Sequence, residues 1–133
     1  MPTWLVLEDE PSLHEMLLAM THVLGAEGLA FINGEDALAW IETVDTGQFS
    51  GELPELALVD IRMPGAVSGL EVSARLRYSH ALSRIPIVLL TAYHMSAADE
   101  QTAIEQSGAD ALVYKPLPKF DEFRDLLRGL LSA

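Results

Sequence analysis

Five short apolar runs alternate along this chain with five segments whose apolar residues recur at helical spacing, and few folds accommodate that alternation. The runs are Thr3 to Asp9 (TWLVLED), Gly28 to Ile32 (GLAFI), Leu56 to Asp60 (LALVD), Ile85 to Thr91 (IPIVLLT) and Ala111 to Tyr114 (ALVY). Parallel strands need long crossovers, and crossover helices cover both faces of the sheet they connect. The expected fold is therefore α/β, a doubly wound five-stranded parallel sheet with helices on both faces.

The segments between the runs read as helices. Pro11 opens the first and Gly25 stops it, with Leu13, Met16, Leu17, Met20, Val23 and Leu24 on its apolar side. A turn at Asn33 and Gly34 opens the second, and Gly108 closes a mostly polar fourth. The third, from Gly69 to Ser79, carries a less tidy stripe of Leu70, Ala74 and either Leu76 or Arg77. In the last, Phe120, Phe123, Leu127 and Leu130 recur at helical spacing. The polar segment from Asp45 to Glu55 reads as a surface loop.

The chain has 133 residues, enough for one core, so a single domain over 1–133 is expected. No run approaches the roughly 18 apolar residues of a membrane span, and no basic leader precedes the first apolar stretch, so a non-secreted, cytoplasmic protein is expected. Without cysteine there are no disulfides, thiolate nucleophiles or cysteine metal sites. Twenty acidic residues against eight basic ones give a formal charge of -12, which repels nucleic acid and anionic membrane surfaces.

In doubly wound sheets, ligands bind beyond the carboxyl ends of the strands. There this chain places Glu8, Asp9 and Glu10 at the end of the first run, Asp60 at the end of the third, Thr91 at the end of the fourth, and Lys115-Pro116 after the fifth. Each has a simpler reading alone: Asp9 as a helix cap, Thr91 as a turn residue, Lys115 as a solvated charge. Together they supply acids, a hydroxyl and a cation, the groups needed for phosphoryl chemistry on a carboxylate. Carboxylates gathered on one rim raise one another's pKa unless a cation sits among them, and Mg²⁺ suits such an oxygen-donor set.

VLEDEP, LVDIRMPG, LLTA and YKP, in this order and spacing, resemble the signature segments of the receiver domain of two-component response regulators, over about Trp4 to Leu131. The resemblance implies a flavodoxin-like fold of strand order 2-1-3-4-5 and a signalling phosphoacceptor, not a separate enzyme. It implies that Asp60 is phosphorylated by a sensor histidine kinase or phosphotransfer protein. Asp9, Asp60 and the backbone carbonyl of Arg62 are implied as Mg²⁺ ligands, with Glu8 acting largely through water in the same pocket. Thr91 and Lys115 are implied to bind phosphoryl oxygens, with a cis bond before Pro116. The implied output is binding of a downstream protein target, with no output domain in this chain. The charged residues Asp110, Lys119, Asp121, Arg124 and Asp125 permit phosphorylation-dependent pairing of two copies through the fourth and fifth helices. A receiver-like interaction module independent of phosphate is the alternative.

The chain departs from the family pattern in four places. Glu8 stands where aspartate is usual and must fold back to reach the same water. An extra residue lies between Pro64 and Gly69, which alters the loop after Asp60. Leu112 occupies the aromatic switch position, and Tyr114 is not expected to replace it, because neighbouring strand positions point to opposite faces. Finally, Arg62 and Tyr93 are bulky where water approaches, and are expected to shield an acyl phosphate.

Overall fold

The computed structural model describes residues 1–133. Its elements run β1 (Thr3–Leu7), α1 (Pro11–Val23), β2 (Glu27–Phe31), α2 (Gly34–Asp45), β3 (Leu56–Asp60), α3 (Gly69–Tyr78), β4 (Ile87–Thr91), α4 (Ala97–Ser107), β5 (Ala111–Tyr114) and α5 (Phe120–Leu131). The strands form one sheet of order β2-β1-β3-β4-β5, and every neighbouring pair is parallel. This is the doubly wound order expected, with the strand order reversing at β1 and β3.

The period of two along each strand divides the core into two layers. Leu5, Leu7, Ala57, Val59, Ile87 and Leu89 face α2 and α3, meeting Ala37, Ile41, Val72 and Leu76. Trp4, Val6, Leu56, Leu58, Val88, Leu90 and Val113 face the other way, onto Leu17 of α1 and Phe123 and Leu127 of α5. β3 and β4 are buried at every position, which is why their sequences are continuously apolar rather than alternating.

Boundaries shift slightly from the sequence reading. β1 stops at Leu7, so its acids lie in the loop beyond. β4 starts at Ile87, because Pro86 has no amide to donate and contributes only its carbonyl, which accepts from Ala57 N–H. In α3 the fully buried face is Val72, Ser73 and Leu76, with Leu70 packed at the edge of the same core layer. The stripe is irregular because Ser73 is a buried polar member of it, donating its hydroxyl to the carbonyl of Ser107 at 2.8 Å. Phe120 stays 41% exposed, beside Met16, Met20, Val23, Leu117 and Pro118 at the rim of an apolar groove.

α4 is held unevenly. Its buried residues, Ala103 and Ser107, lie in its C-terminal half. Gly108 ends it in the left-handed conformation (φ 69°), which glycine adopts without steric cost, and Arg77 donates to the Gly108 carbonyl at 2.7 Å. No helix is long and apolar enough to cross a membrane.

Candidate functional site

The reversal of strand order brings the ends of β1 and β3 side by side, and β4 and β5 extend the same rim. Asp60 closes β3 with only 4% of its surface exposed. Its Oδ1 accepts the Arg62 N–H at 3.3 Å, and its Oδ2 accepts from Lys115 Nζ at 3.1 Å. Glu8 is completely buried. Its carboxylate turns toward the lysine and its own loop: Oε1 lies 2.7 Å from Lys115 Nζ, and Oε2 accepts the Glu10 N–H at 3.1 Å.

Asp9 is exposed, and α1 is capped by its neighbour. Glu10 accepts the amides of Leu13 at 2.8 Å and Ser12 at 3.1 Å, and those bonds hold its carboxyl below the usual range. Asp9 is thereby free for other work. One oxygen from each of Glu8, Asp9 and Asp60 lies within 4.8 Å of the others. His14 Nδ1 sits 2.7 Å from the Glu8 carbonyl and fastens this acidic turn to α1, a contact that no sequence signal marks.

Three carboxylates face one ammonium. Burial, and then the charge of Glu8, push the Asp60 carboxyl up to about 7, with Lys115 opposing both. Burial pulls the Lys115 ammonium down, but the bonds and charges of Glu8 and Asp60 outweigh it and leave its pKa raised. The pocket thus carries surplus negative charge on hard oxygen donors, and a small divalent cation such as Mg²⁺ fits it.

Thr91 is buried at the end of β4, and its Oγ1 accepts the Tyr93 N–H at 3.1 Å. The guanidinium of Arg62 lies over the Tyr93 ring, 4.5 Å from its centre. The two bulky residues flagged in the sequence therefore join the loops after β3 and β4 through one cation–π contact. The Lys115-Pro116 bond is cis, as expected.

The longer loop after Asp60 leans on α2, where Glu35 accepts the Ala66 N–H at 3.3 Å. It closes at Gly69, whose N–H donates to the Ile61 carbonyl at 2.8 Å. A Cβ on Gly69 would overlap the backbone carbonyl of Asp60, so this glycine lets helix α3 begin against the strand end. The sequence marks it only as the first residue of a helical segment.

The expectation for Tyr114 needs correction. Leu112 and Tyr114 are two positions apart and so share a face of β5, the one opposite Val113. Leu112 packs into the α2/α3 layer, and Tyr114 stands directly opposite Thr91 in the parallel register. Its ring stacks on His94, with centroids 4.3 Å apart and planes within 9°.

A parallel sheet of this order, with acids, a threonine, a lysine and a cis proline gathered at its carboxyl rim, defines a receiver-type α/β domain. Residues 4–128 match the family model described as response regulator receiver domain, and the chain belongs to that family. It is 31% identical over 120 residues to the polar-differentiation response regulator DivK of Brucella anthropi, covering 89% of each chain. It is 41% identical over 71 residues to DivK of Brucella ovis, a match spanning 55% of that relative's length. The receiver domain of a sensor histidine kinase from Pseudomonas aeruginosa PAO1, solved with magnesium in its active-site cleft, superposes with TM-score 0.80 at 23% identity, covering 99% of this chain and 98% of that one. Chemotaxis protein CheY4 of Vibrio cholerae superposes with TM-score 0.80 at 22% identity over 98% of each.

Proposed function

We propose that Asp60 is a phosphoacceptor: its carboxylate oxygen attacks the phosphorus of a phosphohistidine on a sensor histidine kinase or phosphotransfer protein, or of a small phosphodonor. The product is an acyl phosphate; with phosphohistidine the P–N bond breaks and the departing imidazole takes up a proton, and with acetyl phosphate the P–O bond breaks and acetate leaves. The observation that carries this reading is Lys115 Nζ, 3.1 Å from Asp60 on the rim where the acids of β1 and Thr91 of β4 converge. Attack by an anion on an anion is governed by charge neutralisation and positioning. Lys115 supplies one positive charge and can follow the phosphoryl oxygens as they arrive. The Thr91 hydroxyl donates to a second oxygen.

Asp9, Asp60 and the Arg62 carbonyl would hold Mg²⁺, with Glu8 acting through water. Bound there, the ion supplies the remaining neutralisation. The magnesium in the Pseudomonas aeruginosa receiver domain supports this assignment. Arg62 and Tyr93 limit the approach of water to the acyl phosphate, so the same residues set how long the signal lasts. The phosphorylated form acts by changing the surface offered to a downstream protein.

Incubation with Mg²⁺ and acetyl phosphate, followed by intact mass beside Asp60→Asn, tests the reading. Gain of one phosphoryl group by the wild type alone, abolished by chelator, is expected. No gain by a folded protein would overturn it and leave a phosphate-independent interaction module.

A further inference from the structure

The loop between β3 and α3 carries the Arg62 carbonyl and is one residue longer than the family pattern. A longer loop has more conformations to lose when it is fixed. Ile61, Met63 and Val67 pack against the α2/α3 core layer, whereas Arg62 and the stretch Pro64 to Ala66 are exposed. The ends of the loop are tied to the strand: Arg62 N–H donates to Asp60 Oδ1, and Gly69 N–H to the Ile61 carbonyl. The added length lies between those ties.

The first turn of α2 grips this middle stretch at two points. Glu35 Oε2 accepts the Ala66 N–H at 3.3 Å, the one hydrogen bond made by residues 63–67. The same carboxylate lies against Gly65, whose φ is 86°. A Cβ there would overlap Oε2, so glycine alone admits both the left-handed turn and the close approach. One position earlier, Gly34 offers a bare Cα on which Val67 is seated: a Cβ on Gly34 would lie 2.7 Å from Val67 Cγ1 and 2.7 Å from its carbonyl oxygen. Val67 precedes Ser68, whose hydroxyl caps α3 by accepting the Glu71 N–H at 3.3 Å. The gripping turn is itself fixed, because Asn33 caps α2 by accepting the Asp36 N–H at 2.8 Å.

We propose that Glu35 and Gly34 form a clasp that fixes the lengthened loop, and that Glu35 is thereby a positioning residue for the cation, holding the backbone from which the Arg62 carbonyl reaches Mg²⁺. Glu35 is no part of the carboxylate cluster of Glu8, Asp9 and Asp60, and it acts only through the loop. The role rests on the Mg²⁺ assignment made for the phosphoacceptor. A ligand carbonyl on a restrained loop has less freedom to lose when it takes the ion, so restraint is read as affinity. Released from α2, the loop presents that carbonyl for only a fraction of the time, and the apparent affinity falls by that fraction. Saturating Mg²⁺ holds the loop in place of the clasp and restores the site.

Calorimetric titration of the full chain with Mg²⁺, beside acetyl phosphate uptake followed by mass over a series of Mg²⁺ concentrations, tests the clasp. Glu35→Ala removes the acceptor, Glu35→Gln keeps an oxygen there without the charge, and Gly34→Ala displaces Val67. Glu35→Ala is expected to weaken Mg²⁺ binding about fivefold, a factor that one net hydrogen bond supports. The Mg²⁺ needed for half-maximal uptake should rise by the same factor, while the rate at saturating Mg²⁺ stays that of the wild type. Gly34→Ala should follow Glu35→Ala, and Glu35→Gln should stay near the wild type. Wild-type affinity in both alanine variants overturns the clasp. Equal weakening in Glu35→Gln and Glu35→Ala also overturns it, since the charge of Glu35 would then act at a distance. A saturating rate lost in Glu35→Ala overturns the positioning role. If the folded wild type binds no Mg²⁺, the metal assignment and the clasp's role fall together. If it binds Mg²⁺ and gains no phosphoryl group, the phosphoacceptor reading falls alone, and the calorimetric comparison still decides the clasp.

Discussion

Lys115 lies closer to Glu8, at 2.7 Å, than to Asp60, at 3.1 Å, although Asp60 ends the central strand. The completely buried Glu8 thus competes for the one cation of the pocket, and its charge is the second cause, after burial, of the raised Asp60 pKa. In Glu8→Gln that charge is gone and Lys115 faces Asp60 alone. Carboxyl NMR titration of the metal-free protein should show Asp60 titrating well below its value of about 7. An unmoved titration would show that Glu8 does not govern it.

The same shift predicts how stability varies with pH. Asp60 has a folded pKa of about 7 against a model value of 3.8, so the folded form binds the proton more tightly. Its favourable contribution is present below pH ~4 and is lost as pH rises through ~7. Asparagine cannot ionise. In metal-free buffer, Asp60→Asn should therefore match the wild type near pH 4 and exceed it in stability at pH 8, read from urea unfolding. Mg²⁺ should narrow that gap at pH 8 by stabilising the wild type.

Arg62 and Tyr93 meet across the mouth of the pocket. Replacing both with alanine opens the approach to Asp60, and loss of the phosphoryl group, followed by mass after the donor is removed, should become several-fold faster. Equal decay of variant and wild type would assign the pair to surface packing alone.

Gly69 has no room for a side chain against the Asp60 carbonyl. Gly69→Ala forces either α3 or the end of β3 to shift, at a cost of about 1–3 kcal/mol in unfolding free energy. Because the displaced atom belongs to Asp60 itself, phosphoryl uptake should slow along with the loss of stability. An equally destabilising change far from the site, Phe123→Leu in α5, should leave uptake unchanged.

Much of the molecule was legible in the chain because its signals are local. Continuous apolar runs mark strands buried on both faces, Gly108 marks a left-handed helix end, and acids, Thr91 and Lys115 stand at the strand ends where a doubly wound sheet places its ligands. Periodicity alone supplied the order of elements, and the residue types at the strand ends supplied the chemistry. Only the tertiary structure decided how those groups divide their partners. Lys115 is shared between Glu8 and Asp60, Glu10 rather than Asp9 caps α1, Gly69 lets α3 close on Asp60, and Tyr114 reaches from β5 to both Met95 and Glu100. Each of these depends on side-chain length and on the separation of elements distant in sequence, quantities that appear only when the sheet is assembled. A pattern of residue types records which groups reach the rim. The packed distances determine which of them meet.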